Sequence, residues 1–177
     1  MSSFTKKAIM EAFLRLVGKK SLDKITVRDI VDECGINRNT FYYHFQDMYA
    51  VLEEICHDAI ARMPRERSLP ETMACFLDCM SDFAAAYPRS THGLMMSLGY
   101  DGLLRYLAPE LQPLIMDCLM RDQVAGSRDY LRHLTAFVCH AVIGLSVDLM
   151  KLGSQTACTT VAEDLKRILE QLSRPQN

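Results

Sequence analysis

Apolar residues recur at helical spacing from the start of the chain. Ile9, Phe13, Leu16 and Val17 mark one face of a helix predicted from Thr5, a competent cap, to Lys19. Thr26 to Cys34 reads as a second, short helix. Thr26 would be its N-cap, Asp29 sits where a capping box reaches back, and Ile30 and Val31 point inward. Gly35 ends that helix in a left-handed turn, and after Ile36 the cap-competent Asn37 opens the next. In the run Asn37 to Phe45, Phe41 and Phe45 fall on one side and are expected in the core, while Arg38, Asn39, Tyr42 and Tyr43 spread over the remaining arc. Asp47 can cap a fourth helix running to about Arg62, with Val51, Leu52, Ile55 and Ala59 inward, until Pro64 breaks it.

Beyond the charged link Arg65 to Ser68 the pattern becomes more apolar. Pro70 can open a helix to Tyr87 with Met73, Phe76, Leu77, Met80, Phe83 and Ala84 on a broad face, closed by Pro88. Ser90 can start another through Leu94, Met95, Met96 and Leu98, where Gly99 and Gly102 interrupt it. Pro109 and Pro113 are too close to share a regular helix interior, so the next main helix is expected from about Pro113 to Met120. Ser127 can cap a helix over 128–152, ended by Gly153, whose apolar residues (Leu131, Phe137, Val138, Val142, Leu145, Leu149) cover more than one face. Thr159 or Thr160 would cap a closing helix with Val161, Leu165, Ile168, Leu169 and Leu172 in one stripe. With no alternating β-branched runs, the sum is an all-α protein of about nine helices.

A chain of 177 residues with 49% apolar content can bury a substantial core in one or two small domains. Its net charge of −2 conceals an asymmetry: residues 1–45 hold eight basic against five acidic side chains (+3), and the rest 12 against 17 (−5). A basic end on an acidic body fits a nucleic-acid reader, although so small an imbalance is also what a solvated face gives. The seven cysteines lie scattered in apolar helical patterns and read as reduced core residues of a cytoplasmic protein. No secretory signal is expected, because Met1 to Phe4 leads straight into a charged amphipathic helix. The longest apolar stretch, Leu134 to Met150, falls short of the ~20 residues needed to span a bilayer and carries His140 and Asp148, so a buried helix and no membrane are expected.

The run Ile25-Thr26-Val27-Arg28-Asp29-Ile30, followed by Cys34-Gly35-Ile36-Asn37-Arg38-Asn39-Thr40-Phe41-Tyr42-Tyr43-His44-Phe45, resembles the DNA-binding domain of the TetR/AcrR family over roughly the first third of the chain. The Thr-aromatic-Tyr-Tyr-His-Phe ending is the most specific part. The family usually carries a lysine three residues after the Phe, where this chain has Met48; the amides at the start of that helix could still take an anion. The resemblance implies a helix-turn-helix domain over 1–46 and a helical regulatory and dimerisation domain over 47–177, joined by helix 47–62. It implies a homodimer whose reading helices enter successive major grooves of a palindromic operator, with repression expected and activation the alternative. Arg38, Asn39 and Tyr43, with Arg28 as a further candidate, are expected at base edges. Thr26, Thr40, Tyr42 and His44 are expected at phosphates. Lys19, Lys20 and Lys24 serve either solubility or a phosphate fringe.

For the body, Met80, Met95, Met96, Tyr100, Met116, Phe137 and His140 could surround an apolar cavity for a small-molecule effector, unless a protein co-regulator replaces it. Leu145, Leu149, Val161, Leu165, Ile168 and Leu172 are the candidate dimer interface. No metal or cofactor is expected. Cys75 and Cys79 share a helix face without a second pair, and His133 and His140 would stand about 10.5 Å apart along a helix, too far for one ion. Gly144-Leu145-Ser146-Val147-Asp148 lacks the second glycine of a nucleophile elbow, and no catalytic constellation is evident. The alternative to a regulator is an all-helical protein-interaction or small-molecule-binding module that no longer binds DNA, which Met48 and the modest basic excess would favour.

Overall fold

The computed structural model describes residues 2–152, 160, 161, 163–165, 167, 168 and 171. The helices are α1 (Ser2–Val17), a 3-10 turn (Leu22–Lys24), α2 (Val27–Cys34), α3 (Arg38–His44), α4 (Met48–Ala61), α5 (Leu69–Ala86), α6 (Pro88–Arg121) and α7 (Arg128–Leu152). The described residues from Thr160 onward are helical, and no strand occurs among the described residues. The fold is all-α. Gly153, Thr159, Leu169 and Leu172 lie outside the described residues.

At the amino-terminal end α1 packs on α2, α4 and α6, and α2 on α3. Ile9, Phe13, Ile30, Phe41, Val51 and Leu52 close this part of the core, each at most 2% exposed. Deeper in the body, α5, α6 and α7 pack on one another, with Phe76, Leu77, Leu111, Leu114, Ile115, Cys139, Val142 and Ile143 fully buried. α7 is long and apolar enough over Arg128–Lys151 to cross a membrane by length and composition, more than the shorter Leu134 to Met150 stretch suggests. Here 44% of its apolar window is buried inside the chain, against α5 and α6.

Several boundaries differ from expectation. α1 starts at Ser2, so Thr5 lies within it and caps nothing. α4 turns Val51, Leu52, Cys56 and Ile60 fully inward, leaving Ile55 and Ala59 only partly buried. The start of α5 is set by Ser68, whose capping box with Glu71 is present two residues before Pro70, so the helix opens at Leu69. Pro88 opens α6 where a stop was expected, which its missing N–H allows at a first helical position.

The largest correction concerns Pro109 and Pro113, which both lie inside α6. Each removes a helical hydrogen bond and frees a carbonyl four residues earlier, on Arg105 and Pro109. Positions 105, 109 and 113 share the solvent-facing side of the helix, so water can take the freed carbonyls. The opposite stripe, Leu107, Leu111, Leu114, Ile115, Cys118 and Leu119, is buried and keeps the helix in place. The real break comes earlier, at Gly99, with φ 61° and ψ −168°. Only glycine adopts that conformation readily, and it divides α6 into two rods.

Candidate nucleic-acid interface and cavity

Local chemistry fixes the reader. Thr26 Oγ1 accepts from the Asp29 amide (3.2 Å), and Asp29 Oδ2 accepts from the Thr26 amide (2.7 Å) and hydroxyl (2.6 Å). Those hydrogen bonds from Thr26, with Lys20 Nζ 2.9 Å away, hold the Asp29 carboxyl far below the usual carboxylate range. Gly35 adopts φ 71°, ψ 31°, the left-handed C-cap that the turn needs. Asn37 then caps α3, its Oδ1 accepting from the Thr40 amide (2.8 Å) and hydroxyl (3.0 Å).

α3 is two-sided, as its pattern requires. Phe41 and Phe45 are buried with ring centroids 6.0 Å apart, and Lys6 Nζ stands 5.8 Å from the Phe45 ring centre. Arg38, Asn39, Tyr42 and Tyr43 are exposed, Tyr43 by 80%. The Arg38 and Asn39 side chains make no ion pair or hydrogen bond among the described residues. His44 is half-buried, its ring edge-on to Tyr43 at 5.0 Å. Exposed large aromatics beside an uncommitted guanidinium and amide form a surface of donors and flat faces.

The flanking cations are less available. Arg28 sits 3.6 Å from Asp32, Lys20 is held by Asp29, and Glu33 takes both Arg15 (2.9 Å) and Lys19 (3.3 Å). The Arg15 hydrogen bond first, then that of Lys19, lowers the Glu33 pKa. Of the three lysines around this link, only Lys24 is without an acidic partner among the described residues. Met48 is 8% exposed and belongs to the core. The amides behind it are not bare: Asp47 Oδ1 accepts from Tyr49 N (2.8 Å) and Ala50 N (2.9 Å), so a carboxylate already occupies the proposed anion site.

A cavity of about 560 Å³ lies between α5, the first rod of α6 and the end of α7. Of the expected pocket residues, it brings together Met80, Met95 and Met96. Tyr100 and His140 meet elsewhere, with the phenol 3.1 Å from His140 Nδ1. Met116 lines a separate groove with Pro109 and Pro113, and Phe137 is 62% exposed. Sequence reasoning missed Thr91, Ser146 and Leu149 as lining residues. The signal was present for Thr91, since Pro88, Thr91, His92 and Met95 recur at i, i+3, i+4 and i+7 on one helical face.

The first rod of α6 also grips the reader. Ser90 Oγ donates to the Leu14 carbonyl at 2.8 Å, and Ser97 Oγ accepts from Leu22 N at 3.1 Å. Nearer the carboxyl end, Leu149 and Leu165 are buried within the chain, Leu145 and Val161 are partly buried, and Ile168 is 53% exposed. Among the described residues no cluster of three or more His, Cys, Asp or Glu could hold a metal ion.

Residues 9–55 match the family model of the bacterial regulatory proteins of the tetR family. An uncharacterized HTH-type transcriptional regulator, YerO of Bacillus subtilis, is 33% identical over 70 residues, covering 39% of this chain and 24% of that protein. The class D tetracycline repressor of Escherichia coli is 29% identical over 104 residues, 56% of this chain and 47% of the repressor. The chain thus spans under half the length of these curated relatives. Among solved structures, the dihydroxyacetone kinase operon activator DhaS superposes with a TM-score of 0.68 at 17% identity, covering 96% of each chain. The fatty acid degradation regulator FadR from Bacillus halodurans gives 0.65 at 13% identity, covering 93% of this chain and 94% of its own. These two likenesses establish the fold. Residues 9–55 thus carry the helix-turn-helix domain of the tetR family of bacterial regulatory proteins.

Proposed function

We propose that the protein is a homodimeric, sequence-specific transcriptional repressor acting in the cytoplasm, whose operator affinity is set by an effector bound in the helical body. The observation that carries this reading is the exposed face of α3, where Arg38, Asn39, Tyr42 and Tyr43 stand clear of the protein while Phe41 and Phe45 anchor the helix. Arg38 and Asn39 near its start suit base edges, arginine forking to guanine and asparagine to adenine, and Tyr43 suits a thymine methyl. Arg28 joins them by releasing Asp32. Tyr42 and His44 are assigned to phosphates, together with Thr26 and Thr40, whose hydroxyls would leave their caps to make the contact.

Residues 1–46 form the reading unit and 47–177 the body, with α4 as the connection. Two copies joined through the helices after Arg128 would set two α3 helices about 34–36 Å apart, for a palindromic site. The first rod of α6 supplies the coupling. One of its faces carries Ser90 and Ser97 against the reader, and another lines the cavity with Pro88, Thr91 and Met95. A ligand that tilts this rod changes the spacing of the readers. A coupling of roughly 1–3 kcal/mol alters operator affinity from several-fold to a hundredfold.

Selection of bound sequences from a random duplex pool tests the reading. Recovery of a palindrome that Arg38→Ala no longer enriches is expected. Salt-insensitive binding, or none at low ionic strength, would sink it.

A further inference from the structure

The described cysteines differ in what surrounds their sulfurs. Cys56, Cys118 and Cys139 are at most 9% exposed and belong to the core, where burial pushes the Cys56 thiol up to about 12 and the Cys139 thiol up to about 11. Cys34 is half-buried, the one cysteine of α2, with its Sγ 3.9 Å from the Val31 carbonyl. Cys75 and Cys79 are half-buried on α5, one turn apart on the same side of the helix. These two thiols interact directly. Burial first, then Cys75 beside it and the Asp82 carboxylate, raise the Cys79 pKa above its ordinary value, and a hydrogen bond joins the two side chains.

Helix geometry limits what can bridge them. Side chains four apart have Cβ atoms about 5–6 Å from each other. A disulfide needs about 3.5–4.5 Å, so a direct S–S bond would have to distort α5. One larger atom between the sulfurs closes the gap with the helix intact. Ligand count and charge then select the atom. Structural zinc takes four ligands, and among the described residues no third His, Cys, Asp or Glu completes a group with this pair. A monovalent soft ion on two thiolates would leave a net negative charge half out of water beside Asp78 and Asp82. A linear divalent ion would hold the sulfurs on opposite sides of itself, whereas these two stand side by side. Trivalent arsenic bearing one organic group is pyramidal, needs two sulfurs and leaves no charge. One turn further along the same stripe, Phe83 is half-buried with its ring centroid 5.3 Å from that of Tyr87, an apolar ledge for the organic group.

We propose that Cys75 and Cys79 form a dithiol site for a mono-organic trivalent arsenical, with Phe83 receiving the organic group. With phenylarsine oxide both S–H bonds break, two S–As bonds form, and the arsenic-bound oxygen leaves with the two protons as water. Arsenic stays trivalent and no sulfur is oxidised. The site is independent of duplex reading and of the cavity.

The test adds phenylarsine oxide at one equivalent to the purified, reduced full chain under nitrogen. Intact mass should show a single adduct, heavier than the protein by the probe less one water. Peptide maps after iodoacetamide should find Cys75 and Cys79 protected together. Excess 2-mercaptoethanol should leave the adduct in place, and ethanedithiol should strip it. Cys75→Ser and Cys79→Ser should each weaken binding by about a hundredfold, because the second bond is no longer intramolecular, while Cys34→Ser changes nothing. Inorganic arsenite, which calls for a third sulfur, should bind at least about tenfold more weakly than the phenyl probe. No adduct on the parent, an adduct that persists in either serine variant at position 75 or 79, protection of other cysteines instead, or arsenite binding as tightly as the probe overturns the proposal. The peptide map of the parent decides even if a serine variant fails to fold.

Discussion

Gly93 lies against the main-chain carbonyl of Val17 so closely that a Cβ on it would sit 2.2 Å from the oxygen. The contact joins the first rod of α6 to the end of α1. Gly93→Ala must push the two apart, and a displacement of packed elements costs about 1–3 kcal/mol. Urea denaturation should show a lower midpoint with an unchanged slope. A neutral result would mean that this junction is looser than its spacing implies.

Arg38→Ala and Phe41→Ala should fail in opposite ways. If the exposed arginine contacts the duplex as proposed, its loss should reduce specific affinity by about 1–3 kcal/mol and leave the melting temperature within a degree or so. Phe41 is fully buried, and its truncation should cost about 3–5 kcal/mol of stability. Paired melting and duplex-binding measurements distinguish them.

Thr26→Ala removes one half of the capping box at α2 and should cost about 1 kcal/mol. Thr26→Ser keeps the hydroxyl and should restore most of it. Thermal melting of both variants beside the parent checks this.

His57 Nδ1 lies 2.9 Å from Glu110 Oε2, bridging α4 and α6. The hydrogen bond that protonated His57 donates to Glu110, and then the charge of that carboxylate, raise the His57 pKa above 6.5, with Glu54 and Asp58 adding smaller pushes the same way. A raised folded-state value means that the stabilisation is whole below pH 6.5, where the unfolded histidine is also protonated, and is lost as pH climbs through the folded value. Glu110→Gln should therefore melt lower than the parent in mild acid and converge with it in mild alkali. The difference should be small, since both side chains face solvent. A gap that widens with pH would contradict the pairing.

Local signals made the reader legible in the sequence. Thr26, Asp29, Gly35, Asn37 and Asp47 each act within four residues of themselves, and each occupies the role its chemistry suggests. The all-helical body was legible for the same reason, through periodic apolar faces. Tertiary context decided the rest. Pro109 and Pro113 read as a boundary until their shared solvent face is known, and Met48 reads as a missing surface contact until its burial is seen. The expected pocket residues were chosen for type alone. Type does not reveal that Met80, Met95 and Met96 converge while Met116 and Phe137 point elsewhere.

The interruption at Gly99 bears on how force could travel through the molecule. An unbroken helical hydrogen-bond ladder carries strain along its whole length, so a push at one end must bend everything downstream. With the ladder cut at Gly99, the segment beginning at Pro88 can pivot like a lever on a pin, while the longer portion stays bolted to α7. On the proposed coupling, torque applied to this segment would be delivered through Ser90 and Ser97 to Leu14 and Leu22 instead of being dissipated in the body.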